Sequence, residues 1–164
     1  MSSKFPVFFG IAIALVALAL GFGYFASSDA RLQLTGEILK IRTLELTPDS
    51  TLVMLDFRVR NESNVTFQLR EAQIFWTPEK GEEAEALTVA RPDLDRILQY
   101  SKLAGPKYNE VLVMKEKIGG KAMIDRMSAA TVPVGEADFE KRKALKLRLT
   151  DLDGQSFELL MKKP

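Results

Sequence analysis

Near its N-terminus the chain has an apolar segment that carries no charge from Phe5 to Phe25. At 1.5 Å per residue, a helix of about twenty residues is about 30 Å long, which is the thickness of the hydrocarbon core of a bilayer. Pro6 falls in the first turn, where its missing N–H is not needed, and Tyr24 falls where interfacial aromatic residues sit. The pattern predicts a transmembrane signal-anchor helix over residues 5–25.

Two other interpretations of this segment stay open. A cleaved signal peptide would have Lys4 as its positive flank and the small residues Ala26–Ser28 at the cleavage site, but its apolar core normally has only about 7–15 residues. The other is a buried helix of a globular domain. Because few charges flank the segment, we expect the default orientation of a single-pass membrane protein, with the N-terminus inside. The C-terminal domain would then be extracytoplasmic, on the periplasmic or extracellular side.

Alternating apolar and polar positions dominate the rest of the chain. The clearest run has apolar residues from Val53 to Val59 on one face, and Asp56, Arg58 and Arg60 on the other. Strict alternation of this kind predicts an antiparallel strand with one buried face and one face in water. Further strands are expected over 32–46 (with a bulge near Gly36 or Leu39), 67–76, 86–90, 110–115, 121–134, 145–149 and 157–161.

Turn and helix signals separate these runs. Helical spacing of apolar residues over 92–101 predicts a short helix, and residues 136–143 are expected to add two helical turns. About seven strands with two inserted helices favour a sandwich or a barrel. Polar turns are expected at 47–50, 61–64, 77–83 and Asp153-Gly154. The predicted organisation is a short N-tail (1–4), the helix (5–25), a linker (26–31) and a single β domain (32–164).

Charge balance and missing residue types narrow the function. With 23 basic and 22 acidic residues the net charge is +1, so the chain lacks the basic excess with which proteins bind nucleic-acid phosphates. The absence of histidine removes the commonest general base and transition-metal ligand, and the absence of cysteine removes disulfides and thiolate metal sites. We therefore expect a protein that is not an enzyme and has no nucleic-acid partner.

The segment from Leu55 to Leu69 resembles the signature of the late-embryogenesis-abundant group 2 family, also called the water-stress and hypersensitive-response domain family. An alternating strand, an Asn-containing turn at 61–64 and a strand beginning with aromatic Phe67 carry the resemblance, which extends over about 34–76. Glu62 departs from the pattern, because the family typically has proline there. The resemblance implies an immunoglobulin-like or fibronectin-III-like antiparallel β-sandwich, often exported or anchored in bacteria, with no catalytic residues to carry over.

Two pairs of carboxylates have the residue types of a cation or acid–base site. Asp151 and Asp153 have the spacing of a calcium loop, but Glu158 comes too early to be its late bidentate ligand, so a hairpin turn is favoured. Asp93 and Asp95 are explained by the positive N-terminal end of the expected helix. We predict no catalytic residue, no cofactor and no metal site.

Several polar and aromatic motifs have a plain structural interpretation beside the functional one. Asn61-Glu62-Ser63 and Asn64-Val65-Thr66 match the N-glycosylation pattern, but turn asparagines are expected there anyway. Ser101 with Lys102 has the residue types of a Ser–Lys dyad, with nothing to position them. The pair Phe75-Trp76 is expected in the core rather than as a ligand platform. The lysines at 115, 117 and 121 and the basic run 141–143 favour a solvated face over contact with anionic headgroups or an acidic partner.

The sequence as a whole predicts a non-enzymatic, membrane-anchored extracytoplasmic binding or scaffold domain, stress-protective if the family resemblance extends to function. Its expected partners are the membrane, through residues 5–25, and an unidentified protein. The alternative is an accessory structural subunit of a cell-envelope membrane complex, in which Gly10, Gly21 and Gly23 let the anchor pack against other helices. A glycosidase using only carboxylates is the remaining enzyme hypothesis, and it lacks recognisable paired acids.

Overall fold

The computed structural model of the protein describes residues 5–28 and 31–162, so the expected N-tail (1–4) and part of the expected linker lie outside it. The first element is an α-helix of 24 residues, α1 (Phe5–Ser28). Its described side chains, at 8–22, are exposed apart from the half-buried Gly21, and Leu18 and Leu20 are each 70% exposed. Among the residues whose side chains the structure describes, which in α1 are only 8–22, no helical stretch is long and apolar enough to cross a membrane.

The remaining described residues form two antiparallel sheets with short helices between strands. In chain order the elements are β1 (Leu34–Thr47), β2 (Ser50–Asn61), β3 (Phe67–Thr77), β4 (Ala84–Glu85), β5 (Leu87–Thr88), α2 (Arg91–Tyr100), a 3₁₀ turn (Lys102–Ala104), β6 (Lys117–Ile118), β7 (Met123–Val132), α3 (Glu136–Phe139), β8 (Ala144–Asp151) and β9 (Ser156–Lys162). Sheet one has the order β1-β2-β7-β5, and sheet two has the order β4-β3-β8-β9, with β6 also paired to β3.

The apolar core lies between the two sheets. Inward side chains of β2, within Val53–Val59, meet those of β3 and β8, such as Ile74 and Leu147, and these side chains are fully buried. Trp76 is only 5% exposed, and its ring centroid lies 6.0 Å from that of Phe139. The prediction that the pair Phe75-Trp76 lies in the core is therefore confirmed for Trp76, whereas Phe75 is only half-buried and lies under Arg148, whose guanidinium carbon is 4.5 Å from the Phe75 ring centroid. The prediction of a mainly β, antiparallel sandwich with a few short helices is also confirmed.

The outer face of β2 differs from the prediction. Asp56 was expected on the face in water, yet it is only 2% exposed, and Leu52 and Met54 on the same face are fully buried. The insert, defined here as residues 91–111, crosses this face and packs Leu94 and other apolar side chains against it. The prediction of a water-exposed face is wrong for the first half of β2, because a distant segment covers it.

Two expected strands are also different. The run over 86–90 is divided at Ala86, because β4 pairs with β3 in sheet two whereas β5 pairs with β7 in sheet one. The run over 110–115 is not a strand: Val111 forms one isolated parallel bridge with Met127, after which the chain turns towards β3. The helix expected over 136–143 is only the single turn α3.

The expected bulge in β1 is present at Leu39, where the register with β2 shifts between Ile38 and Lys40. Gly36, the other position considered, has a different role. A Cβ atom there would lie 2.2 Å from the carbonyl oxygen of Arg58, so only glycine allows β1 and β2 to approach this closely.

Candidate functional site

A groove lies where one long edge of each sheet faces the other. One edge of β3 pairs with β8. The opposite edge pairs with β6 through Phe67 and Gln68, and with β4 through Phe75 and Trp76. Residues 70–73 between these pairings have no strand beside them on this edge. An unpaired stretch of strand presents backbone N–H and C=O groups that another extended chain can bind.

The opposite wall is formed by β5, the edge strand of sheet one, and by residues 111–114. Thr88 of β5 reaches across with its hydroxyl, which lies 3.5 Å from the carbonyl oxygen of Ala72. Among the described residues, this long hydrogen bond joins a side chain of one wall to the backbone of the other. We call the space between them the edge groove.

The edge groove has a volume of about 610 Å³, which lies within the range of about 300–1,000 Å³ that is usual for ligand pockets. It exists because small side chains occupy inward positions at this edge, Ala72 on β3 and Ser128 on β7. Neighbouring inward positions, such as Ile74 and Val132, carry branched side chains that fill the core. The sequence thus leaves room between the sheets at one place along their edge.

The groove combines apolar walls with a few polar groups. Met114 lines the groove and is 72% exposed. Leu87, which precedes the lining residue Thr88 in β5, is 77% exposed. Ser128 is 6% exposed and its hydroxyl has no hydrogen-bond partner among the described residues. At the rim, Arg91 is paired with Asp95, whereas Arg70 and Glu71, which both line the groove, have no oppositely charged partner within the described chain. This chemistry suits an extended segment with apolar side chains.

The carboxylates considered in the sequence have local partners. Asp151 is 7% exposed and accepts hydrogen bonds from the backbone N–H of Gln68 (2.7 Å) and of Asp153 (3.4 Å). It therefore closes the β8–β9 turn, as the favoured interpretation predicted. Asp95 lies 3.3 Å from Lys107, and Asp93 lies 4.0 Å from Arg96. No three acidic side chains of the described residues lie close enough together to hold a metal ion.

Asn61 is fully buried and organises the turn that carries the family resemblance. Its amide nitrogen donates to the carbonyl oxygens of Val65 (2.7 Å) and Ile118 (3.1 Å). Its amide oxygen accepts from the backbone N–H of Ser63 (3.0 Å) and from the Ser63 hydroxyl (2.6 Å). The amide of Asn61 is thus occupied in the folded domain, whereas Asn64 is exposed.

The remaining candidates are dispersed. Ser101 directly follows α2, and its backbone N–H donates to the carbonyl oxygen of Ile97 in the last turn. In the described structure, no hydrogen bond joins its side chain to Lys102. The basic residues are divided between opposite ends of the sandwich. Residues 115–121 lie beside the β2–β3 turn, and residues 141–143 follow α3, which lies near the β1–β2 turn.

A buried ion pair was missed in the sequence. Arg42 of β1 lies 3.1 Å from Asp56 of β2, with side-chain exposures of 11% and 3%. Arg42 also donates to the carbonyl oxygens of Ala104 and Pro106, and Asn109 donates to Asp56. These bonds attach the insert to sheet one. Alternation assigned Asp56 to water, so no local signal marked this pair.

Other ion pairs hold their carboxylates in the charged form. Arg58 donates two hydrogen bonds to Asp125, at 2.7 and 2.8 Å, and these lower the pKa of Asp125 below its ordinary value. Hydrogen bonds from Lys107 and Arg148 likewise lower the pKa of Glu110 and of Glu158. A carboxyl group with a lowered pKa suits an ion pair and not the donation of a proton near neutral pH.

No protein-family model matches the chain, and no curated protein sequence matches it. Several solved structures match the chain at low sequence identity. A candidate lipoprotein from Bacillus subtilis subsp. subtilis str. 168 has 10% sequence identity and a TM-score of 0.48; the match covers 79% of this chain and 36% of that one. This chain therefore spans little more than a third of that protein.

Two further structures have lower scores. The archaellum periplasmic stator protein FlaG from Sulfolobus acidocaldarius has 11% identity and a TM-score of 0.35, covering 80% of this chain and 100% of that one. An uncharacterized β-sandwich protein from Clostridium difficile 630 has 11% identity and a TM-score of 0.36, covering 80% and 82%. At these identities and scores, the similarities carry no argument about function.

Proposed function

We propose that this protein is a membrane-anchored extracytoplasmic binding domain, and that its edge groove holds an extended segment of a partner protein. The observation that carries the proposal is the unpaired stretch of β3 beside a groove of about 610 Å³. A peptide can add as a strand to such an edge, gaining affinity from backbone hydrogen bonds and specificity from its side chains in the groove. The apolar walls of the groove favour a segment with apolar side chains.

The fold supports this type of function. The order of strands in both sheets agrees with that of immunoglobulin-type sandwiches. In the usual letters, sheet one (β1, β2, β7, β5) corresponds to A, B, E and D. In sheet two, β3, β8 and β9 correspond to C, F and G. Such a sandwich is also what the resemblance to the water-stress and hypersensitive-response family implies. Rigid sandwiches of this kind commonly bind through their edges and loops. A stress-protective role would follow if the resemblance extends to function.

The membrane attachment is proposed from α1. Its 24 residues correspond to about 36 Å of helix, and the segment from Phe5 to Phe25 carries no charge. Its described side chains are exposed, so the β domain does not bury them. A bilayer would remove this apolar surface from water. The proposed orientation has the N-terminus inside and the β domain on the extracytoplasmic side.

The proposal is tested by capture of partners in intact cells. Full-length protein with a C-terminal tag would be crosslinked, purified and analysed by mass spectrometry, beside α1 carrying the same tag alone. Ala72→Leu fills the edge groove, and Ala137→Leu makes the same change at an exposed position of α3. We expect Ala72→Leu to lower the captured partner about tenfold, equal to about 1.4 kcal/mol, and Ala137→Leu to leave it unchanged.

The binding proposal would be contradicted if the two variants captured the partner equally, or if the tagged α1 captured the same proteins. Fluorescence of Trp76, the single tryptophan of the sequence, reports whether each variant is folded.

A second function, as a structural subunit of a membrane complex, is favoured by one property of α1. A Cβ atom at Gly10 or Gly21 would meet nothing within 4 Å, so the helix has open positions where another helix can approach closely. Replacing α1 by an unrelated apolar helix separates the two functions. Binding through the edge groove survives that replacement, whereas assembly through α1 is lost.

A further inference from the structure

Three loops meet at the end of the sandwich where β1 begins, which we call the proximal end. Strand pairing fixes this arrangement, because Leu34 pairs with Asn61, and Phe67 pairs with Ile118. The loops are the β2–β3 turn (62–66), residues 115–121 and the β8–β9 turn (152–155).

Chain connectivity keeps the proximal end close to α1. The helix ends at Ser28 and β1 begins at Leu34. An extended chain spans at most about 3.3–3.6 Å per residue, so the start of β1 lies within about 20 Å of the end of α1. If α1 lies in a bilayer, the proximal end is therefore the part of the sandwich nearest to the lipid headgroups.

The side chains of the proximal end that form no ion pair carry a net positive charge. Arg31, Lys115, Lys117 and Lys121 are exposed and have no acidic partner among the described residues. The acidic side chains there are mostly occupied, Glu62 by Arg60 and Glu116 by Arg126. In the described loops of this end, the carboxylate of Asp153 is exposed and has no basic partner.

Two apolar side chains project at the tips of these loops. Val65 is 39% exposed and Leu152 is 48% exposed. Hydrogen bonds hold both loops. In the β2–β3 turn, the buried Asn61 donates to Ile118, and the Lys121 N–H donates to the carbonyl oxygen of Ser63. In the β8–β9 turn, the Leu152 N–H donates to the carbonyl oxygen of Gln68. Lys115 and Lys121 have φ angles of 63° and 61°, a region that L-residues rarely adopt and that glycine adopts freely.

We infer that the proximal end rests on anionic lipid headgroups of the same bilayer that holds α1, with Val65 and Leu152 entering the interface. This inference relies on the proposed membrane attachment. Cationic side chains around exposed apolar tips are the combination that anionic bilayer surfaces bind. Contact at the proximal end would hold the sandwich upright on the bilayer.

The test uses full-length protein in lipid vesicles. Because the chain has no cysteine, Leu152→Cys allows one environment-sensitive dye to be attached at the proximal end. Asp49→Cys gives the matched dye position in the β1–β2 turn at the opposite end. Vesicles of phosphatidylcholine alone are compared with vesicles that also contain phosphatidylglycerol, and acrylamide quenching measures how far each dye is exposed to water.

We expect the dye at position 152 to become severalfold less quenched in the anionic vesicles, and the dye at position 49 to remain fully quenched in both. Changing both Lys115→Glu and Lys117→Glu should abolish the protection. Lys80→Glu with Lys143→Glu makes the same change in net charge at exposed positions away from the proximal end, and should not.

Vesicle flotation separates failure of the inference from failure of the membrane attachment. Protein that floats with the vesicles, but has equal quenching at positions 152 and 49, overturns the docking alone. Protection that persists in the Lys115→Glu, Lys117→Glu variant also overturns it. Protein that does not float overturns both proposals.

Discussion

The amide of Asn61 makes hydrogen bonds to three backbone groups and one hydroxyl, all close to the turn between β2 and β3. Removing that side chain would leave the buried carbonyl oxygen of Ile118 without this donor, and the buried N–H and hydroxyl of Ser63 without this acceptor. Each buried polar group left unsatisfied costs about 1–3 kcal/mol. The importance of this residue therefore rests on its hydrogen bonds rather than on its match to a glycosylation pattern.

We predict that Asn61→Ala lowers the free energy of unfolding by about 2–4 kcal/mol. Urea unfolding followed by Trp76 fluorescence would measure it. Asn64→Ala, in the same turn but at an exposed position, should change it by less than about 0.5 kcal/mol. Equal effects of the two substitutions would show that the buried amide is not what stabilises the turn.

The Arg42–Asp56 pair gives a second prediction. Asp56→Ala leaves a guanidinium buried without its carboxylate, and breaking a buried pair in this way costs about 3–5 kcal/mol. Asp138→Ala, which removes an exposed partner of Lys141, should cost less than about 1 kcal/mol. Urea midpoints of both variants test this, and a small loss for Asp56→Ala would mean that water replaces the carboxylate.

The strand β2 illustrates what local pattern can and cannot predict. Its alternation identified the inward residues, such as Phe57, because the period of two fixes which side chains share a face. It could not identify what covers the other face, since Leu94 and Val111 lie far along the chain. For the same reason 86–90 appeared to be one strand: nothing local marks Ala86 as the point where the chain passes between sheets.

Helix α2 is expected to stabilise sheet one through a single fully buried side chain. Leu94→Ala removes apolar contacts with the outer face of β2 and leaves a cavity, so we predict a loss of about 2–4 kcal/mol. Leu103→Ala, at a position that is 85% exposed, is the matched control and should have almost no effect. Thermal unfolding of both variants measures the difference. A neutral Leu94→Ala would mean that the insert is not attached to the sheet through its helix.

The edge groove is a property of the whole molecule, and this is why it could not be predicted. The small residues Ala72 and Ser128 are visible in the sequence, but they lie in different sheets and become neighbours only when the sandwich closes. The charge balance, the lack of histidine and the β pattern are by contrast global properties that the sequence gives directly. Fold class was therefore predictable, whereas the position of a binding surface was not.

The ion pairs predict how the stability of the molecule depends on pH. Asp125, Glu110 and Glu158 have lowered pKa values in the folded protein, so the unfolded chain binds more protons as the pH falls. Their contribution is complete above the ordinary carboxyl pKa of about 4, and is lost as the pH falls through that value to the lower folded values.

We therefore expect the urea midpoint to be constant from about pH 7 to about pH 5 and to fall between about pH 5 and about pH 3. In Asp125→Asn the fall should be smaller, because one of the three groups no longer titrates. A midpoint that is the same at both ends of this range would contradict the prediction.

The long pairing of β1 with β2 also determines how the protein would respond to mechanical force. The two strands are joined by twelve registered residue pairs, and β1 is the strand that continues from α1. Hydrogen bonds in an antiparallel ladder lie perpendicular to the strands, so tension along β1 loads them together in shear. If a partner held in the edge groove were pulled away from the membrane, the strand nearest the anchor could not peel off one bond at a time.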